Sequence, residues 1–168
     1  MVRTIPDPCR ILRVQSWDLK AVLPPGIEPL LGVTWPRVTG VVETGRADVL
    51  CVGPTDWLTI TSGTMDSQLL LNVDGALQGS TFRATDVSCA LARIEIQGPH
   101  SRRLLSKACA LDVHSSKFPP GRVARTRFAG VPVVVRCKHD TEFECIVARS
   151  HHDYLLAWLH DAAAELSP

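Results

Sequence analysis

Strand-type segments in this chain come in runs, with a helix-type segment only after each run, so strands and helices cannot alternate one for one as a doubly wound parallel sheet requires. Residues 48–52 and 57–61 flank Gly53-Pro54-Thr55-Asp56, whose proline pre-sets a turn, and read as a hairpin. Residues 122–128, 131–138 and 142–148 follow one another with Gly130 as the first turn. Residues 9–17 alternate Ile11, Arg13 and Gln15 with Leu12, Val14 and Ser16, and one face can be buried. Residues 92–97 set Ala92, Ile94 and Ile96 against Arg93, Glu95 and Gln97, a half-exposed strand. The predicted order is β, loop, ββ, α, ββ, α, βββ, α, an α+β class. At 168 residues the chain fits one domain, residues 1–168, and can bury a core without disulfide or metal staples.

Three segments carry helical spacing. Residues 66–77 repeat Leu69, Leu70, Val73 and Leu77, with Asp66 placed to cap the start and Gly79 to end the helix. Gly98-Pro99 opens the second, with proline at its first position and Leu104, Leu105 and Ala108 as its buried stripe. In the last, Ser150 and Asp153 form a box-like N-cap ahead of Tyr154, Leu155, Trp158, Leu159 and Ala162. Residues 23–40 hold four prolines and three glycines and read as an irregular loop, of a length usually functional or packed on a partner. Val52-Gly53-Pro54 and Ile96-Gln97-Gly98-Pro99 sit at comparable points before leucine-rich helices, a hint of duplication that defines no repeat.

The formal charge of +1 gives no reason to bind nucleic acid. Residues 90–149 nevertheless carry 11 Lys and Arg against 5 Asp and Glu, which suits an acidic partner surface or the anionic tail of a ligand. Arg125 and Arg127 project from one face of residues 122–128 and are interface candidates, a solvated strand face being the alternative. Leu58 and Ile60 claim the inward face of their strand and place Trp57 on the other; it is either an interface anchor or covered by a helix. The six cysteines lie mostly in apolar segments, the N-terminal residues lack the apolar core of a signal peptide, and no apolar run spans a bilayer, so free thiols in a soluble cytoplasmic protein are expected.

Cys109, Asp112 and His114 are near enough in sequence for a nucleophile, orienter and base, but read better as a core thiol, a turn acceptor and a loop side chain. His151, His152 and His160, or Cys137, His139 and Cys145, fall short of a closed metal site. No G-x-G-x-x-G follows a strand, so no dinucleotide fingerprint is present. Neither catalytic, cofactor nor metal residues are assigned.

Several motifs occur in one order: VLCVGPTDWLTI over residues 49–60, Asp86-Val87-Ser88, a strand ending in Gly98-Pro99, Cys109 to His114, Phe118-Pro119-Pro120-Gly121-Arg122, and a terminal helix with Arg149, Ser150, Tyr154, Leu155, Trp158 and Leu159. In this order they resemble the gamma-subunit family of heterotetrameric sarcosine oxidase, itself related to the folate-binding domain of aminomethyltransferase, the glycine-cleavage T-protein. The resemblance implies that domain's fold, with mixed or antiparallel sheets and covering helices. It also implies larger flavin-bearing subunits as partners, which would hold FAD, FMN, NAD and tetrahydrofolate, with no cofactor in this chain. Where T-proteins carry a carboxylate after the proline-glycine-arginine strand, this chain reads Phe128 to Val135 without one. That departure implies an accessory subunit that lends surface, a free-standing folate-binding module being the rival, and the matching subunit of another N-methyl amino acid oxidase or dehydrogenase a variant.

Overall fold

The computed structural model describes residues 1–5, 9–20, 23–24, 26–45, 47–62 and 67–166, with the backbone only at Cys9, Ser62 and 67–70. Within the span read as one domain, the chain forms two compact units, Met1–Pro6 with Cys89–Pro168 and Asp7–Ser88. Each is built on a five-stranded antiparallel sheet. The first sheet sets side by side β1 (Val2–Thr4), β7 (Leu91–Gln97), β10 (Glu142–Ala148), β9 (Val131–His139) and β8 (Val123–Phe128). The second sets side by side β3 (Val42–Thr44), β4 (Ala47–Gly53), β5 (Asp56–Ser62), β2 (Cys9–Ser16) and β6 (Phe82–Asp86). The helices are α1 (Ile27–Leu31), α2 (Ser67–Leu77), α3 (Ser101–Ser106) and α4 (His152–Ala164).

In chain order the elements run ββαβββα twice, and the two sheets match position for position when β8-β9-β10-β7-β1 is set against β3-β4-β5-β2-β6. The first strand of each run is exchanged. β1 pairs with β7, Val2 opposite Ile96, and β6 pairs with β2, Phe82 opposite Ser16. The duplication is thus one of topology, and it relates other positions than the sequence suggested: Val52-Gly53 ends β4, the counterpart of β9, whereas Ile96-Gln97 ends β7, the counterpart of β2.

One face of the first sheet presents Ile94, Ile96, Val135, Phe143 and Cys145 to Leu104 and Leu105 of α3 and Leu155 and Leu159 of α4, each at most 4% exposed. Each large side chain buried here contributes about 1.5–3 kcal/mol. The starts of both helices differ from expectation. Gly98 adopts φ +131° and its carbonyl accepts the Ser101 N–H, so Gly98-Pro99 makes a turn and α3 begins two residues later. Before α4, Arg149 donates its backbone N–H to Ala90 and its guanidinium to the carbonyls of Cys89 and Leu91. That anchorage sets residues Arg149–His151 in a 3₁₀ turn, and the helix starts with no side-chain cap, so the Ser150–Asp153 box is not formed.

The other face of this sheet carries charge, buried at Glu95, Glu144 and Arg136 and exposed at Arg3. Register aligns Arg3, Glu95, Glu144 and Arg136 in one row across β1, β7, β10 and β9. Glu144, fully buried, accepts from Arg93 Nε and has Arg136 Nη1 at 3.7 Å from its second oxygen; Glu95 pairs with Arg3 and, at 3.7 Å, with Lys138. Residues 92–97, read as half-exposed, are a strand whose polar side turns to solvent only at Gln97, while Arg93 and Glu95 are ion-paired, so charge in the sequence did not mean solvent.

In the second unit Leu12, Val14, Val49, Cys51, Trp57 and Phe82 line one sheet face with Ile27 and Leu31 of α1 and Val73 and Leu77 of α2. The opposite face also carries buried residues, Ile11, Leu50, Leu58 and Ile60. Residues 23–40 are not uniformly irregular: α1 lies inside them, and Glu28 accepts the Trp35 N–H at 2.8 Å. Leu77 is fully buried at the end of α2, while Asp66 and the side chains of Leu69 and Leu70 lie outside the described residues.

Candidate interaction surface

Trp57 is 6% exposed, which is the covered one of its two readings. Its indole N–H donates to the Pro36 carbonyl at 2.9 Å, and its ring lies 5.4 Å from Trp35 and 6.0 Å from Phe82. Both faces of β5 are buried, Trp57, Thr59 and Thr61 on one and Leu58 and Ile60 on the other, so assigning Leu58 and Ile60 to one buried face could not make the other face solvent. The tryptophan that does face solvent is Trp17, 67% exposed, followed by Leu19 at 79%; Val38 is 64% exposed. A local turn holds Trp17 and Leu19 outward: Asp18 N–H donates to Ser16 Oγ, and Lys20 N–H donates to Asp18 Oδ1. Arg83 rests 5.9 Å over the Trp17 ring. Beside them opens a cavity of about 250 Å³ floored by Trp35, Trp57 and Phe82 and edged by Leu19, Lys20 and Arg37.

Arg125 and Arg127 are exposed on β8, the edge strand of the first sheet. Arg127 Nη2 donates at 2.6 Å to the carbonyl of Gly130 in its own hairpin turn. In that turn Phe128 faces Val131, and Ala129 and Gly130 both take positive φ, 48° and 83°, the two-residue geometry that follows the strand twist. Tyr154 Oη caps the Ala129 carbonyl at 3.0 Å. Residues 128–135 hold no carboxylate and bury Phe128, Val133, Val134 and Val135.

Cys109, Asp112 and His114 border one cavity of about 410 Å³, but they do not pair with one another through their side chains. Asp112 Oδ1 accepts the backbone N–H of His114, as a turn acceptor does, the His114 ring contacts Ser116 Oγ at 2.9 Å, and Cys109 Sγ lies 3.9 Å from Thr126 Oγ1. Burial pushes the thiols of Cys145, Cys51 and Cys137 up, away from thiolate chemistry. His152 is held by Thr4 Oγ1 at 2.9 Å and by Asp153 at 2.7 Å. Among the described residues, no three His, Cys, Asp or Glu side chains group to hold a metal ion.

Arg102 escaped the sequence reading. Its guanidinium donates to the carbonyls of Val113, Phe118 and Asp140, pairs with the Asp140 carboxylate at 3.3 Å and lies 4.9 Å over the Phe143 ring. It ties α3 to residues 113–118 and to the β9–β10 turn, and only its place one residue into a helix beside a leucine pair hinted at such a role. Asp86 and Ser88 likewise turn out structural: Asp86 Oδ1 accepts the Ser88 N–H at 2.9 Å, and its other oxygen accepts Arg10 at 2.7 Å.

These motifs hold positions in a fold shared with known proteins. The model of the sarcosine oxidase gamma subunit family matches residues 21–165. The chain belongs to that family. A gamma subunit of sarcosine oxidase from Corynebacterium sp. strain U-96 is 27% identical over 138 residues, 81% of this chain and 66% of that protein, so the match spans about two-thirds of the relative's length. A chain of the heterotetrameric sarcosine oxidase from Corynebacterium sp. U-96, solved in complex with pyrrole 2-carboxylate, superposes with a TM-score of 0.89 at 23% identity, over 99% of this chain and 85% of that one. The aminomethyltransferase T of the glycine cleavage system from Bartonella henselae gives 0.59 at 9% identity, over 90% of this chain and 43% of that one. The expected α+β fold, like the folate-binding domain of aminomethyltransferase, is the one observed, with both sheets antiparallel.

Proposed function

We propose that this chain is a non-catalytic accessory subunit of a sarcosine oxidase complex. In that reading larger flavin-bearing subunits oxidise the N-methyl group of sarcosine, release glycine and hydrogen peroxide, and pass the one-carbon unit to tetrahydrofolate as 5,10-methylenetetrahydrofolate. FAD, FMN, NAD and tetrahydrofolate would all reside on those partners, in the cytoplasm. The observation that carries the proposal is the family match over residues 21–165, taken with a residue 128–135 hairpin that offers no carboxylate for methylene transfer. The described residues include no helix long and apolar enough to cross a membrane.

Native purification with mass determination and a visible spectrum tests it. The chain expressed alone is expected to be colourless and inactive on sarcosine, and co-expressed with its partner chains it is expected to purify in a yellow complex. A chain that stays alone and binds folate would replace this reading with that of a free-standing module; stoichiometric flavin in the isolated chain would overturn it outright.

A further inference from the structure

We propose that the surface formed by Trp17 and Leu19 with the neighbouring cavity is where this chain receives a partner-subunit segment bearing an apolar side chain flanked by carboxylates. The inference rests on the reading of the chain as a subunit. An exposed tryptophan two residues from an exposed leucine is a large apolar area for water to cover, and aromatic anchors of this kind dominate interface energies. The cavity beside them, about 250 Å³ with an aromatic floor, has room for a single side chain.

The charge around it selects the partner. Lys20 and Arg37 edge the cavity, and Arg83 stands over Trp17, all three exposed. Against them stands Asp18, the one acidic residue among the described residues lining the cavity, whose carboxylate also accepts the Lys20 backbone N–H. Three cations against one carboxylate leave a net positive charge around an apolar centre, which favours an acidic chain over a basic or neutral one and raises its encounter rate. Glu28 is turned toward the Trp35 backbone N–H, which it accepts at 2.8 Å.

The test uses the full chain co-expressed with its partner subunits. Trp17→Ser with Leu19→Ser is expected to weaken assembly by about tenfold or more. Lys20→Glu with Arg37→Glu is expected to slow association at low ionic strength, the gap to wild type closing at high salt. Leu71→Ser, an exposed apolar residue on α2, should assemble as wild type does. Thermal melts of each isolated variant separate lost docking from lost folding. If wild type assembles and both double variants assemble equally well, this surface is wrong and the subunit reading stands. If wild type finds no partner, both readings fall. If the apolar double variant only dissolves a homodimer, the occupant is a second copy and the proposal is overturned.

Discussion

Truncating Trp57 removes a ring that fills the space against Trp35 and Phe82 and orphans the Pro36 carbonyl. Trp57→Ala is therefore expected to cost about 3–5 kcal/mol in a urea titration. Trp17→Ala, at an exposed site, should stay within about 0.5 kcal/mol of wild type. Equal costs would refute the assignment of one ring to the core and the other to the surface. Asp86 supplies a pH test. Burial pushes its carboxyl up, but the Ser88 hydroxyl and N–H and the Arg10 guanidinium outweigh that and hold it below its ordinary value. Glu142 is lowered too, chiefly by Lys138. A folded-state value below the unfolded one means stability that is present above the ordinary carboxylate range, about pH 4, and is lost as pH falls through the lowered values. The denaturant midpoint of Asp86→Asn should accordingly fall less steeply below about pH 4 than that of wild type. For Arg125 and Arg127, conversion of both to Gln is expected to slow association with partner subunits at low ionic strength and to matter little at high salt. Identical association rates at low salt would leave a solvated strand edge.

At the scale of elements, β1 is three residues long, yet it occupies the position in the first sheet that β6 fills in the second. Deleting residues 1–5 removes the Met1 carbonyl that accepts the Gln97 N–H and the Ile5 N–H that donates to Arg93, and it strips Arg3 from Glu95. Hydrogen exchange should show the Gln97 amide deprotected while amides of β9 keep their protection; unchanged exchange at Gln97 would mean that β1 adds nothing to the sheet. The sequence made β4, β5, β8, β9 and β10 readable because each is an alternating or continuously apolar run bounded by turn signals. It could not announce β1, three residues with no alternation to count, nor α1, whose five residues include a proline and sit among turn formers. Trp57 has two readings in the sequence and the strand at residues 92–97 reads as half-exposed for one reason: alternation tells which side chains share a face, not whether the second face meets water. The docking surface was half legible, since residues 23–40 were expected to pack or function. The exposed member, Trp17, ends an alternating stretch, and its orientation depends on the Ser16–Asp18 turn, which no periodicity encodes.

For the whole molecule, exchange of first strands means that neither half of the sequence contains a complete sheet. Residues 1–80 lack β6, the partner of β2, and leave β1 without β7; residues 81–168 lack β1 and leave β6 without β2. An unpaired β2 edge exposes Leu12 and Val14, both 1% exposed in the intact chain, together with unsatisfied backbone groups. Each half should thus be poorly folded alone, and because each supplies the other's missing strand, the mixed halves should recover native-like structure. The same coupling predicts a single thermal transition for the intact chain, with calorimetric and van't Hoff enthalpies in agreement. Far-UV circular dichroism and calorimetry of the two fragments, separate and mixed, decide the matter. A cooperative melt from residues 81–168 alone would show that β1 is dispensable and that the two units fold as independent bodies.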